Sequence, residues 1–295
     1  MIYLSTFNLP SPEQEENFFF GFNPKNARTC YTTKYPFGLF RYRDMPDEFA
    51  FDDITIFCGN NGSGKSTILN VIAEKLELKR NSPFNRSDFF GDYVDLCDYQ
   101  LDKTFSLNSS VITSDDVFDR VLDIRRVNDG IDNKREDLLR EWLDSNGDGV
   151  DTAIHGLDDY ERWKRISDAR NKNKSQSSFI RSRLVRNIQE RSNGESSLSL
   201  FVDAILDDGI YLLDEPENSL SAAFQQELAA FLADSARFFG CQLVIATHSP
   251  FLLSIPGAVI YDLDSLPVQV RPWTELENVR VYYEFFKSHQ KAFEP

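Results

Sequence analysis

The chain has 295 residues, 41% of them hydrophobic, which is enough to bury the core of one large domain with an insert. Its formal net charge of −15 excludes a protein that coats nucleic acid without selectivity. No run of about 18 apolar residues occurs, so we expect no membrane partner and no membrane-spanning segment. The four cysteines have no metal-ligand spacing, which favours a reducing, cytoplasmic location.

The first third of the chain predicts strands, a glycine-rich loop and a helix. Short β-like runs occupy residues 2–6 and 30–35, and residues 54–58 form an apolar run that we predict to be a buried strand. Residues 79–110 are polar and predict a loop with short strands. A helix is predicted just after the glycine-rich loop, because four apolar residues recur there at helical spacing: Ile68, Leu69, Ile72 and Leu76.

The rest of the chain alternates helical and strand patterns. Residues 114–191 are charged and helical in pattern, with a break at residues 146–149. The last helix is predicted to begin at a capping box made by Thr274 and Glu277. Strands are predicted at residues 210–213, 243–246 and 258–261. Strands that alternate with helices predict an α/β fold with a largely parallel central sheet.

Residues 59–66 read Gly-Asn-Asn-Gly-Ser-Gly-Lys-Ser and match the phosphate-binding P-loop pattern, with a predicted strand before and a helix after. Glycines let backbone N–H groups curl around the β- and γ-phosphates, and the helix N-terminus adds positive potential. Lys65 would neutralise the β/γ oxygens, and the Ser66 hydroxyl would hold Mg²⁺. The alternative is a glycine-rich turn that binds nothing. The predicted nucleotide-binding residues are Asn60, Asn61, Gly62, Ser63, Gly64, Lys65, Ser66 and Thr67.

The apolar strand predicted at residues 210–213 runs into two carboxylates, Asp214 and Glu215. The carboxyl ends of parallel strands open onto the nucleotide crevice, so both side chains are expected beside the P-loop. Asp214 would bind Mg²⁺, and Glu215 would orient and deprotonate the attacking water. The alternative is an ordinary acidic turn after a core strand.

Three further stretches carry a resemblance to a known family. Residues 214–221, Asp-Glu-Pro-Glu-Asn-Ser-Leu-Ser, resemble the Walker B motif and D-loop of ABC-type ATPases. Residues 242–250, which contain Thr247 and His248, resemble the strand and switch histidine of the same domain. Residues 192–195, Ser-Asn-Gly-Glu, resemble the signature motif in the form found in the SMC and RecF-like branch. The chain is most similar to small stand-alone bacterial AAA-family ATPases of this branch, related to OLD-family nucleases.

The resemblance implies the ABC ATPase fold over residues 1–295: a P-loop parallel sheet flanked by helices, an N-terminal antiparallel β subdomain and a helical insert at about 115–191. It also implies ATP and Mg²⁺ as ligands and a head-to-tail homodimer. His248 would contact the γ-phosphate and hold the attacking water. Ser192 and the backbone N–H of Gly194 would reach the γ-phosphate from the opposing chain. Asn218 and Ser219 would touch the partner's P-loop.

Several assignments stay open on the sequence. The glutamine loop of the family is either at Gln100 or in the turn 114–116. The aromatic residue that stacks on adenine is Tyr31, Tyr35 or Phe37. Residues 144–149 imitate the start of an EF-hand, but position twelve of that loop is His155 instead of a bidentate Glu, so calcium binding is not predicted.

Three functions compete. The first is a switch or sensor ATPase in anti-phage defence or DNA repair, with a separate effector such as a nuclease or toxin. The second is the nucleotide-binding subunit of an ABC transporter, against which stand the signature form and the Thr-His-Ser-Pro run at residues 247–250. The third, an ATPase fused to a nuclease, needs more than the 47 residues that follow His248. We favour the first.

The segment 161–191 is locally basic, with ten basic and three acidic residues. Its charge of +7 contrasts with −22 for the remainder of the chain, so its positive potential is local. We predict that it docks a nucleic acid or a strongly acidic partner. The alternative is the solvated face of a charged helix pair.

Overall fold

The computed structural model describes residues 1–20, 33–146 and 193–294. Within these ranges the strands are β1 Leu4–Asn8, β2 Phe49–Ala50, β3 Ile54–Cys58, β4 Asp98–Leu101, β5 Ser110–Thr113, β6 Ile210–Asp214, β7 Gln242–Thr247, β8 Val259–Asp262 and β9 Gln269–Val270. The α-helices are α1 Pro12–Phe20, α2 Lys65–Lys75, α3 Phe90–Leu96, α4 Ser114–Asn146, α5 Asn193–Ala204, α6 Ala222–Phe238, α7 Pro250–Leu253 and α8 Glu277–Ser288. Short 3₁₀ helices occupy Pro216–Ser219, Trp273–Glu275 and Gln290–Ala292.

The chain divides into two compact units. One comprises Met1–Phe118 together with Ser192–Pro295, and the other comprises Asp119–Arg191. The second unit is described only over residues 119–146, which belong to α4. Both sheets and the glycine-rich loop 59–66 lie in the first unit. The insert predicted at about 115–191 within a single ATPase domain stays a prediction.

A six-stranded sheet forms the centre of the first unit, in the order β5-β6-β7-β3-β8-β9. Its first five strands run parallel, and only the edge strand β9 is antiparallel. All residues of β3 and β7 are buried, as expected for strands covered on both faces. Successive β3 residues serve different cores: Phe57 packs with residues of α2 and α3, while Ile56 packs with residues of α5 and α6. The predicted α/β fold with a largely parallel sheet is confirmed.

A second, three-stranded sheet has the order β2-β1-β4 and is antiparallel throughout. The side chain of Gln242, at the start of β7, fastens it to the central sheet. Gln242 Oε1 accepts hydrogen bonds from the backbone N–H groups of Tyr3 and Leu4 at 2.9 and 2.8 Å, and its Nε2 donates to the Leu4 carbonyl at 2.8 Å. Because this amide is buried and fully used, the N-terminal strand is held in one register against the sheet that carries the site.

Three local predictions need correction. The capping box at Thr274 and Glu277 is wrong: Thr274 lies in a 3₁₀ turn, and α8 begins at Glu277 without a side-chain cap. The first strand begins at Leu4, two residues later than predicted. The stretch 79–110 contains the helix α3, which buries Phe90, Tyr93 and Val94 against the core, so local polarity concealed a short amphipathic helix.

Two further expectations concern the cysteines and membrane-spanning helices. Among the described residues Cys58, Cys97 and Cys241 are free and buried, and burial raises the pKa of Cys58 and of Cys97 to about 12. These buried thiols pack as small apolar groups. None of the helices in the described parts of the chain combines the length and the apolar character needed to cross a membrane.

Candidate functional site

The P-loop joins the end of β3 at Cys58 to the start of α2 at Lys65, in the middle of the parallel sheet. Gly62 and Gly64 adopt φ angles of +82° and +99°, which L side chains rarely adopt. A Cβ atom at Gly64 would lie 2.6 Å from Cε1 of Phe40, whose ring is buried in the core. Glycine is therefore required at position 64 by both backbone conformation and space.

The Lys65 side chain is turned into this loop and is 3% exposed. Its Nζ donates to the carbonyl oxygens of Gly59 and Asn60 at 2.7 and 3.2 Å, and it lies 3.6 Å from Glu215 Oε1. The Oγ of Ser63 is also buried, and it has no hydrogen-bond partner within the described ranges. A buried cation and an unsatisfied hydroxyl in one glycine-rich loop suit an anionic ligand, which would satisfy both.

Asp214 ends β6 and meets the first turn of α2. Ser66 Oγ donates to Asp214 Oδ1 at 2.9 Å. Burial raises the pKa of Asp214 to about 6; the Ser66 hydrogen bond opposes that shift, Glu215 adds to it, and Lys65 and Arg80 lower it. Hydroxyl and carboxylate oxygens are the ligands that Mg²⁺ takes, usually one or two from protein with the rest from phosphates and waters. The residues present therefore fit this ion, although the described side chains contain no cluster of three or more His, Cys, Asp and Glu residues that would hold a metal.

Glu215 follows Asp214 in an unusual backbone conformation. Its φ and ψ angles are 47° and 52°, the left-handed region that a glutamate seldom occupies. Its N–H donates to the Ala246 carbonyl at 2.9 Å, and its Oε2 accepts from Asn218 Nδ2 at 2.9 Å. This conformation turns the carboxylate back toward Lys65, and strain of this kind is typical of functional positions.

His248 follows β7 on the neighbouring strand and is held by a buried acid, Glu217. Glu217 Oε1 accepts from Thr247 Oγ1 at 2.6 Å and from the His248 N–H at 2.9 Å. The same oxygen lies 3.2 Å from His248 Nδ1. The His248 side chain is 44% exposed, so part of the imidazole faces solvent from a fixed backbone.

Of the remaining predicted nucleotide-binding residues, Asn60 and Asn61 lie at the exposed rim and Thr67 is buried in α2. The Asn60 N–H donates to Asp264 Oδ2 at 2.7 Å, and Asn61 is exposed. Thr67 Oγ1 lies 2.9 Å from the hydroxyl of Tyr35. Of the predicted site residues, the structure thus brings Lys65, Ser66, Asp214 and Glu215 into direct contact.

Some predicted residues fall outside the described ranges. Ser192, Tyr31 and the basic segment 161–191 are among them, and the EF-hand-like stretch extends beyond the described residues at 147. Gly194 lies in the first turn of α5, which begins at Asn193.

The structure separates the two candidates for the glutamine loop. Gln100 lies in β4 of the antiparallel sheet, opposite Thr6. The turn 114–116 follows β5, whose Thr113 is in register with Asp214 at the carboxyl edge of the central sheet. Thr113 and Asp116 cap α4 reciprocally, through N–H bonds of 2.8 and 3.2 Å. Of the two candidates, only residues 114–116 lie close to Asp214 along the chain order of the sheet, because they directly follow Thr113, which pairs with it.

Two of the adenine-stacking candidates are described, and both are engaged within the chain. The Tyr35 hydroxyl contacts Thr67, as given above. The ring of Phe37 is 4.9 Å from those of Phe18 and Phe19 and 5.1 Å from that of Tyr93, between centroids. Phe37 is therefore part of an aromatic cluster at α1 and α3.

Sequence reasoning missed three residues that shape the site. Glu217 was seen only as part of a motif, and Asp264 follows a strand to which no function was assigned. Arg80 is half-buried, donates to Asn70 Oδ1 at 2.6 Å and lies 4.3 Å over the Phe84 ring. Glu217 lies in a polar turn that follows two other carboxylates, so its sequence neighbours do not mark it as buried. The other two residues depend on contacts between distant parts of the chain.

Comparisons with known proteins bear on the family. Residues 159–254 match the model of a family described as "AAA domain, putative AbiEii toxin, Type IV TA system". The matched range contains the Walker B strand β6, the D-loop and the turn with His248. No curated protein matches the chain.

Solved structures similar to this chain include SMC heads and ABC transporters. The Smc head domain of Pyrococcus furiosus, with an extended coiled coil and bound to the C-terminal domain of ScpA, is 14% identical with a TM-score of 0.41, over 98% of this chain and 100% of that one. The SMC head domain of Thermotoga maritima is 12% identical with a TM-score of 0.37, over 92% and 98%. A putative metal-chelate type ABC transporter in an inward-facing conformation is 16% identical with a TM-score of 0.39, over 96% and 89%.

The family match covers the second half of the site, and the geometry described above joins that half to the P-loop. Both agree with the resemblance stated from the motifs, and residues 159–254 are similar to the AAA-domain family named above.

Proposed function

We propose that this protein binds and hydrolyses ATP as an ABC-type, SMC/RecF-like ATPase that dimerises on ATP. The observation that carries the proposal is the contact between the P-loop and the Walker B strand: Lys65 Nζ lies 3.6 Å from Glu215, and Ser66 donates to Asp214. An acidic turn with no role in nucleotide chemistry would have no reason to face a buried lysine across the end of a sheet. P-loop ATPases bring these four groups together around a triphosphate.

In binding, the backbone N–H groups of residues 60–66 and the first turn of α2 surround the phosphates. Lys65 exchanges its two carbonyl partners for β/γ oxygens, and Ser63 Oγ gains a partner. Ser66 and Asp214 would hold Mg²⁺, which when bound would neutralise charge on the phosphate oxygens. Adenine as the base rests on the family resemblance.

In hydrolysis, Glu215 takes a proton from the attacking water, and its strained backbone fixes the carboxylate beside Lys65. His248 contacts the γ-phosphate and helps to hold the water. The exposure of its ring supports this role, since a ligand or an opposing chain can reach it.

The dimer would complete each site from the second chain. Ser192 and Gly194 would meet the γ-phosphate at the N-terminus of α5, where backbone N–H groups favour an anion. Asn218 and Ser219 would touch the partner's P-loop. Asn218 already bonds Glu215 in its own chain, so a partner that engages Asn218 can alter the position of the catalytic carboxylate.

For the biological role we propose a cytoplasmic switch or sensor subunit in bacterial anti-phage defence or DNA repair, acting with a separate effector that is a nuclease or a toxin. The description of the matched family, a putative toxin of a Type IV system, is consistent with a defence role. Nucleic acid would bind through residues 161–191. The transporter alternative is less supported, because the sequence has Ser-Pro after His248, where transporters usually have an aspartate directly after the histidine.

The nucleotide proposal is tested by ATP titration of wild type and Lys65→Ala. The variant should lose at least about a hundredfold in affinity, because the β/γ charge loses its buried counter-ion. Lys75→Ala, at the other end of α2, is the matched control and should bind as wild type does. Equal affinity in Lys65→Ala and wild type would contradict a P-loop site.

The dimer is tested by mixing two inactive chains, Lys65→Ala and Ser192→Arg. Their heterodimer contains one intact composite site and should recover part of the hydrolysis rate. A chain that carries both substitutions is the control. Mixed with either single variant, it should recover no hydrolysis, because neither composite site is intact. Heterodimers that form but stay inactive would exclude a signature acting between chains.

A further inference from the structure

The carboxylate of Glu217 lies buried between the two halves of the catalytic edge. It belongs to the 3₁₀ turn Pro216–Ser219 that follows Glu215, and its side chain is 4% exposed. A buried carboxylate is costly unless donors surround it. Among the described residues its two donors come from the neighbouring strand end, the Thr247 hydroxyl and the His248 N–H, and both bond Oε1. The His248 ring lies beside the same oxygen, while Oε2 is buried without a hydrogen-bond partner. The side chain of Glu217 thus makes its polar contacts with one pair of residues, Thr247 and His248.

The His248 ring is oriented with one nitrogen inward. Nδ1 is inaccessible to solvent and 3.2 Å from Glu217 Oε1, although the side chain as a whole is 44% exposed. The exposed part is therefore the opposite edge, which carries Nε2. The Nδ1···Oε1 pair is close but does not meet hydrogen-bond geometry in the nucleotide-free chain. Catalytic hydrogen bonds often tighten in this way when ligand binds.

A second tie joins the same two segments. Ser249 Oγ donates to Gln225 Oε1 at 2.6 Å, and Gln225 Nε2 donates to the Leu220 carbonyl at 3.0 Å. The residues on either side of His248 are therefore both fastened to the D-loop and the start of α6. The backbone at His248 is fixed without help from its ring, so the ring contact with Glu217 is free to serve another purpose.

We propose that Glu217 is the positioning residue of the switch histidine: it selects the Nδ1–H tautomer of His248 and sets the ring plane, leaving Nε2 to face the γ-phosphate and the attacking water. This inference rests on the proposed role of His248 in hydrolysis. A carboxylate accepts from Nδ1–H and cannot donate to an unprotonated Nδ1, so neutral His248 carries its proton on the inner nitrogen. Because Glu217 also sits in the D-loop, a partner chain that moves the D-loop would move the histidine.

The first test is the tautomer in the nucleotide-free protein, read from ¹⁵N chemical shifts of the imidazole nitrogens at a pH where His248 is neutral. The chain has three histidines, so His155→Gln and His289→Gln variants assign the signals. Wild type should show Nδ1–H. An Nε2–H tautomer in wild type would overturn the proposal, whatever the variants do.

The second test uses Glu217→Met, which keeps most of the side-chain volume but removes the oxygen that faces Thr247 and His248 Nδ1. His248 should shift toward the Nε2–H tautomer, and kcat should fall about tenfold or more with KM for ATP changed less than about twofold. Thr247→Val is the matched control, since it removes another donor to Glu217 and should leave the tautomer unchanged. A Glu217→Met variant with wild-type tautomer and kcat would overturn the proposal. If wild type hydrolyses no ATP, the proposed function fails, while the tautomer measurement still stands by itself.

Discussion

The two sides of the site are built in different ways. We call the P-loop wall, residues 59–67, closed because its lysine is buried: Lys65 is 3% exposed, although residues 60–62 are exposed at the rim. Two glycines with positive φ shape this loop. The switch wall, residues 215–217 with 247 and 248, is open: Glu215 is 26% exposed and His248 44% exposed. The first wall depends on backbone conformation, and the second on a few side-chain contacts around the buried carboxylate of Glu217.

This difference suggests a division of labour. A wall fixed by its own backbone is preorganised for binding, so it loses little freedom when the phosphates arrive. A wall fixed by side-chain contacts at an exposed edge can respond to a second molecule. On the proposed function, nucleotide binding is a property of the single chain, and hydrolysis awaits the partner. The substitutions below alter one wall at a time, or the residue at which the two walls meet.

The P-loop wall should be most sensitive at Gly64. Alanine there must adopt a φ of +99° and place its Cβ 2.6 Å from Phe40, so we expect a loss of about 2–4 kcal/mol in unfolding free energy and at least about tenfold in ATP affinity. Gly62→Ala is the matched control: its φ is +82°, but a Cβ meets nothing within 4 Å, so only the conformational cost of about 1–2 kcal/mol applies. Urea unfolding of both variants measures the difference. Equal losses would mean that Phe40 yields and that space does not matter.

Asp214 lies where the two walls meet. We expect its ionised carboxylate to lower the stability of the fold while it supports Mg²⁺-dependent hydrolysis. Its pKa in the folded protein is about 6, above the ordinary 3.8, so ionising it costs stability; that cost is absent well below pH 3.8 and complete above pH 6. Asp214→Asn should therefore stabilise the nucleotide-free protein by about 2–3 kcal/mol at pH 8, and by less as the pH falls below 6. The same variant should lose Mg²⁺-dependent hydrolysis.

Thermal unfolding at pH 8 and pH 5 checks the sign of this effect. Asp234→Asn, an exposed acid on α6, is the control and should show no comparable gain. An Asp214→Asn protein that is less stable than wild type at pH 8 would show that the ionised carboxylate is stabilised, not strained, by Lys65 and Arg80.

The closed wall was also the more predictable one. Residues 54–58 form the predicted buried strand, and α2 buries Ile68, Leu69, Ile72 and Leu76 as their spacing indicated. A strand, a glycine-rich loop and a helix are consecutive in sequence, so local pattern is sufficient. The strands at residues 210–214 and 242–247 were also predicted within a residue, because buried parallel strands are continuous apolar runs.

The open wall could be predicted only in its motif residues. The contact of Glu217 with Thr247 and His248 spans about thirty positions and depends on β6 lying beside β7, a neighbour relation that no local pattern states. The roles of Gln242 and Arg80 were missed for the same reason. The capping box at Thr274 failed differently: the residues fit the pattern, but the backbone continues as a 3₁₀ turn and the helix begins later.

The separation of binding from hydrolysis is tested most directly by Glu215→Gln. The amide keeps the size of the side chain and its hydrogen bond to Asn218 but cannot take a proton, so binding should persist while phosphate release falls at least about a hundredfold. The measurement is ATP retained per chain and phosphate released, both after gel filtration in Mg²⁺. The account predicts about one ATP per chain, held in a species of dimer size, with almost no phosphate. Phosphate release at the wild-type rate, or loss of the ATP, would contradict it.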